Sequence, residues 1–177
     1  MKSDKEKDFG KIYDRYVEKV YRFVYLKVNS KQIAEDITSE VFLKTFRVFQ
    51  KQKTKKIKNP GAFLFKTAKN MLTDFYRKRS RFYLSSLEEV KEIKDPNQEV
   101  VRKEIVREET NKILQAMSHL KEDYRDLLIW YYVEDLSIPE IAKITDKSEN
   151  AVRVSIHRAM NALKKILEEQ EENQEKV

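Results

Sequence analysis

The sequence predicts an all-α protein made of two small helical units joined by a flexible linker. Three observations carry that prediction. Apolar residues recur at three- and four-residue spacing along most of the chain, which is the period of an amphipathic helix. Gly occurs 2 times and Pro 3 times in 177 residues, too few for the many turns of a β-sandwich or barrel. The periodicity also breaks over 80–98, where "SSLEEVKEIKDPNQ" is polar and contains Asp95-Pro96, the composition of a tether. Two separate cores would explain how 40% hydrophobic and 38% charged residues suffice.

The elements follow in order. Residues 9–28 place Phe9, Ile12, Tyr13, Tyr16, Val17, Val20, Phe23 and Val24 on a helical face. Residues 31–49 form a second helix, with Ile33, Ile37, Val41 and Val48 near one side. A basic bridge, "QKQKTKKIKNPG", ends in the turn signal Pro60-Gly61. A third helix over 62–79 buries Leu64, Ala68, Met71, Leu72 and Phe75. Beyond the tether, spacing resumes at Val100 and runs through Val101, Ile105, Ile113, Leu114 and Met117. A helix over 121–133 then sets Tyr124, Leu127, Leu128 and Tyr131 on one side, and two short helices complete the second unit. The domains are therefore 1–80, a linker over 81–98, and 99–177.

Charge is distributed unevenly. The chain carries +7 overall, yet residues 44–81 hold thirteen Lys or Arg against Asp74 alone, a local +12. Residues 168–177 carry five Glu against one Lys. A concentrated basic block suits a polyanionic partner; a lysine-rich solvated surface would share the same composition.

The third helix turns Lys66, Lys69, Asn70, Thr73, Tyr76 and Arg77 outward, with Phe63 and Asp74 at the margins. Cations follow phosphates, rings stack on unpaired bases, and an amide reads a base edge, so this face suits single-stranded nucleic acid. Phe63 and Tyr76 could instead complete the core.

The last two helices have a different pattern. Ser137 and Glu140 stand at capping-box spacing, with Pro139 in the first turn. "TDK" over 145–147 is a short turn, and Ser148 caps the next helix. Val152, Ile156, Ala159, Leu163 and Ile166 make its buried stripe, leaving Asn150, Arg153, Val154, His157 and Asn161 outside, flanked by Arg158, Lys164 and Lys165. This is the arrangement of a helix-turn-helix whose second helix enters the major groove. Arg153 and Asn150 can bond base edges and Val154 can touch a thymine methyl, while Arg158 and Lys165 suit phosphates. A helical hairpin with a merely soluble outer side would look alike over so short a stretch.

Several classes are excluded. Cys is 0, so disulfides, thiolate zinc sites and cysteine nucleophiles are out, and 2 His make a metal site implausible. There is no Gly-rich phosphate loop and no catalytic constellation, so the chain reads as a non-enzyme without a cofactor. The charged N-terminus lacks an apolar h-region. No run reaches the ~18 apolar residues of a membrane span, so the reading is soluble and cytoplasmic.

In order along the chain, "AEDITSEVFLKTF" (34–46), "AFLFKTAKNMLTDFYRKR" (62–79) and "SIPEIAKITDKSENAVRVSIHRAMNALKK" (137–165) resemble regions 2 and 4 of bacterial RNA polymerase sigma factors. The short chain resembles the extracytoplasmic-function group. The resemblance implies a dissociable subunit that directs polymerase to particular promoters and opens the strands. It implies that Asp36, Glu40, Phe42 and Leu43 contact the clamp of core polymerase, with the second unit near the flap. Phe63, Lys66, Lys69, Asn70, Thr73, Tyr76 and Arg77 would capture the minus-ten strand, and Asn59 would lie near its flipped base. Ser148, Asn150, Arg153, Val154, His157, Arg158 and Lys165 would meet the minus-thirty-five duplex. An anti-sigma factor is a further implied partner, able to hold the chain at a membrane. Phe63 stands where the family usually has Trp, and Thr145-Asp146-Lys147 replaces its usual Leu-Gly-Ile/Val turn. Ala151 and Ser155 stand where Thr and Arg are frequent. The competing reading is a dimeric helix-turn-helix regulator of duplex operators, which leaves the +12 block and the 34–46 helix without a role.

Overall fold

The computed structural model describes residues 4–51, 57–85 and 104–175, with side chains over 6–51, 57–79 and 110–172. The expected linker beyond Ser85, the apolar pair Val100 and Val101, the Ile105 side chain and the middle of the basic bridge lie outside the described residues. Among the described residues the regular structure is helical throughout. The chain divides into one unit ending at Pro96 and another beginning at Asn97.

The first unit contains α1 (Asp4–Val28), α2 (Lys31–Lys51) and α3 (Pro60–Ser85). The reversal between α1 and α2 is written in Asn29-Ser30. Asn29 adopts the left-handed conformation, φ 48°, and its N–H donates to the Tyr25 carbonyl at 2.8 Å, as a helix-ending Asn does. Ser30 then opens α2. Val20, Phe23 and Val24 of α1 meet Ala34 and Val41 of α2 and Leu64, Phe65, Ala68 and Leu72 of α3, all fully buried. Phe23 and Phe65 pack edge to face at 5.7 Å. Aromatic rings close one end of the unit: Phe9 lies 4.9 Å from Phe46 and 5.7 Å from Phe49.

Two details depart from the sequence-based expectation. Phe65, expected on neither face, is wholly buried, while Met71 and Phe75 are only half-buried. The helix of 62–79 also continues to Ser85, five residues into the segment expected to be linker. Nothing in "RFYLS" halts a helix, because neither Gly nor Pro appears there.

The second unit contains α4 (Glu104–Ser118), α5 (Glu122–Leu128), a π-helical turn (Ile129–Val133), α6 (Ile138–Thr145) and α7 (Glu149–Glu175). Arg125 of α5 donates to the Ser118 carbonyl at 2.9 Å, covering the end of α4. The π turn corrects the phase expected for 121–133. Its wider i→i+5 ring, with the Glu134 N–H on the Ile129 carbonyl at 3.0 Å, adds one residue per turn. Ile129 and Trp130 therefore rotate into the core, at 1% and 0% exposure, and Tyr131 rotates out to 37%. Ile113 and Leu114, expected inward, are also exposed, and Ala116, Met117 and Leu120 fill the core from α4 and the turn after it.

Candidate nucleic-acid interface

In α6, Ser137 and Glu140 close a reciprocal cap. The Ser137 hydroxyl accepts from the Glu140 N–H, and the Glu140 carboxylate accepts from the Ser137 N–H at 2.9 Å. α6 stops at Asp146, which takes the left-handed conformation (φ 55°) where glycine would be the least strained residue. Its side of the turn is held by the Lys147 N–H on the Ala142 carbonyl at 3.1 Å. Ser148 then caps α7, accepting from the Ala151 N–H at 3.2 Å. That hydroxyl is engaged by the helix start, so its first role is to set the angle of α7.

Val152, Ile156, Ala159 and Leu163 are buried and seat α7 on the unit. Asn150, Arg153, His157, Arg158, Asn161 and Lys165 are exposed, and Val154 is 43% exposed beside them. Arg153 is steadied by Glu149 at 3.5 Å, and Lys165 by Glu169 at 3.8 Å. The Asn161 amide nitrogen lies 3.3 Å from His157 Nδ1. The helix thus offers donors and one methyl-bearing side chain along a single face, which is what base edges in a major groove accept.

The outer side of α3 presents Lys66, Asn70, Thr73 and Arg77, all exposed, with Lys69 and Phe63 half-buried. Thr73 Oγ1 donates to the Lys69 carbonyl at 3.0 Å, leaving its lone pairs outward. Arg77 Nη2 donates to Asp74 at 2.8 Å. Sequence reasoning left Asp74 at the margin; its signal was that it is the single acid within the +12 block.

Two residues expected here have other work. Tyr76 turns inward, its hydroxyl donating to the Lys27 carbonyl near the end of α1 and its ring set against Phe75 at 5.4 Å. It braces α3 against α1 and does not offer an open stacking platform. Asn59 caps α3, its Oδ1 accepting from the Ala62 N–H at 2.9 Å, which leaves the amide nitrogen for a ligand.

On α2, Asp36, Glu40 and Leu43 are exposed at i, i+4 and i+7, and Glu40 reaches Lys44 at 3.4 Å. Phe42 is not part of that surface. It is 4% exposed, with Tyr13 at 4.9 Å and Phe9 at 6.4 Å, because it stands four residues after buried Thr38 and three before buried Thr45 and shares their side of α2. Sequence reasoning missed the groove that Phe42 floors. About 430 Å³ in volume, it runs between α1 and α2 and includes Tyr13, Val17, Tyr21, Glu35 and Thr38. The 45% exposure of Tyr13, on the expected core face of α1, marks its rim.

Among the described residues, no three acidic or imidazole groups are grouped to hold a metal ion, and no helix is long and apolar enough to cross a membrane.

Comparison with known proteins agrees with this geometry. The Sigma-70 region 2 family matches residues 12–82, and the Sigma-70 region 4 family matches residues 110–163. The chain is 32% identical to the ECF RNA polymerase sigma factor BldN of Streptomyces coelicolor, over 90% of this chain and 60% of that protein. It is 27% identical to the ECF RNA polymerase sigma factor SigX of Bacillus subtilis, over 92% of this chain and 85% of that one. It therefore spans less than two thirds of the Streptomyces relative. In fold it is similar to the sigma factor RpoE of Bartonella quintana, solved with the anti-sigma factor NepR, at TM-score 0.69 and 20% identity over 92% and 98% of the two chains. With two helical units in this order, one with a basic α3 face and one with a helix-turn-helix, the chain belongs to the sigma-70 family, in its extracytoplasmic-function group.

Proposed function

We propose that the chain is a dissociable initiation subunit that binds core RNA polymerase, selects promoters and helps to open them. One observation supports this above the others: separate units carry a basic helix face and a helix-turn-helix. An ordinary duplex regulator uses only the second.

In this reading residues 1–80 engage polymerase and the minus-ten element, 99–177 read the minus-thirty-five element, and the chain beyond the end of α3 at Ser85 links them. Asp36, Glu40 and Leu43 meet the polymerase clamp. Phe63, Lys66, Lys69, Asn70, Thr73 and Arg77 hold the opened strand, with the Asn59 amide nitrogen beside it. Asn150, Arg153, Val154 and His157 face bases in the duplex, while Arg158 and Lys165 meet phosphates and Ser148 sets the helix start. The flap of polymerase and an anti-sigma factor are the further partners. The chain supplies no bond chemistry and needs no cofactor; its work is binding energy applied in the cytoplasm, beside polymerase.

The test is reconstitution. Purified chain should co-elute with core polymerase and support run-off transcription from a subset of promoters that core alone ignores. A chain that ignores polymerase and binds operators tightly as a dimer would be the regulator instead.

A further inference from the structure

Asp74 sits where a nucleic-acid surface has no electrostatic use for it. Within residues 44–81 it is the single acid against thirteen lysines and arginines. Its side chain is 56% exposed, and its partner Arg77 is 62% exposed. A pair so open to water adds little to folding, so stability does not account for it. Two consequences remain. The carboxylate cancels one positive charge on the α3 face, which weakens attraction to any phosphate. It also accepts from one guanidinium nitrogen at 2.8 Å, which biases the direction of that planar group's other N–H donors. Asn70, Thr73 and Arg77, spaced i, i+3 and i+7, share that face of the helix.

We infer that Asp74 is a positioning residue that trades strand affinity for strand selectivity: it aims Arg77 beside Asn70 and Thr73 while removing one unit of indiscriminate attraction. The inference rests on the assignment of the α3 face to the opened strand. It predicts that loss of Asp74 tightens binding, the reverse of what loss of a contact residue does.

The experiment uses holoenzyme reconstituted with core polymerase and the full chain, as wild type, Asp74→Ala, Asp74→Asn, Arg77→Ala and Lys66→Ala. Affinity for a short oligothymidylate is measured against salt, and selectivity by sequencing what each holoenzyme retains from a random single-strand library. Asp74→Ala should bind oligothymidylate roughly two- to fivefold more tightly and steepen the log–log salt slope by about 0.7, while its sequence preference flattens. Asp74→Asn keeps an oxygen to accept from Arg77, so it should gain the affinity and retain more of the preference. Arg77→Ala should lose both. If Asp74→Ala weakens binding as Arg77→Ala does, or leaves preference untouched, the assignment is wrong. If both are silent while Lys66→Ala weakens binding, the α3 face still holds the strand and only the Asp74 assignment fails. If Lys66→Ala is silent as well, the α3 reading falls with it.

Discussion

Arg153 and Lys165 lie three turns apart on α7, and each is steadied by a glutamate four residues away, Glu149 at 3.5 Å and Glu169 at 3.8 Å. In the proposed reading their roles separate by position. Arg153 stands in the exposed face beside Val154 and His157 in the first turns, where a recognition helix meets base edges. Lys165 stands further along, where a single ammonium is suited to phosphate. Arg153→Ala should therefore weaken holoenzyme binding unequally across upstream sequences, by about 1–3 kcal/mol on those offering a bidentate partner. Lys165→Ala should weaken all of them alike and lower the salt slope on duplex by about 0.9. Binding to a panel of upstream variants at several salt concentrations checks the division; equal, sequence-independent losses for both would refute it.

At the scale of the element, close approach decides what periodicity cannot. α3 begins at Pro60-Gly61, and a Cβ built on Gly61 would come 2.7 Å from Cε1 and 2.8 Å from the hydroxyl of Tyr16 on α1. Tyr16 is 7% exposed, so its ring has little room to yield. Alanine is the better helix former by roughly 0.5–1 kcal/mol, but overpacking of this kind costs about 1–3 kcal/mol. The clash wins, and Gly61→Ala should lower stability in urea denaturation. Shortening the ring in Tyr16→Leu should make the second substitution less harmful than it is alone. Additive losses would show that Tyr16 is not the obstacle. The π turn is a second instance of local geometry with a distant effect. One extra residue per turn exchanges Tyr131 for Trp130 in the core and leaves Tyr131, Tyr132 and Val133 on the surface.

For the molecule as a whole, charge is segregated along the chain. Residues 44–81 carry +12, more than the +7 net charge of the whole chain, while 168–177 are acidic. Strand capture should therefore depend on salt chiefly through the first unit. Replacing Lys66 and Lys69 together by alanine should reduce the single-strand salt slope of the holoenzyme by about 1.4, at about 0.7 per phosphate contact. An unchanged slope in that double variant would place the phosphate contacts elsewhere.

Much of this was legible in the sequence. Apolar spacing located the helices, and capping residues such as Ser137, Glu140 and Ser148 marked helix starts, because each of these is a local property of the chain. Local rules name the residues that share a helix face but not the neighbour that face will meet. Tertiary packing alone decided that Phe42 sinks beneath Tyr13 and Phe9 instead of joining Asp36, Glu40 and Leu43 at the surface. It also turned Tyr76 inward onto the Lys27 carbonyl and opened the groove between α1 and α2. Each depends on contacts between residues far apart in the chain, and helical spacing carries no record of them.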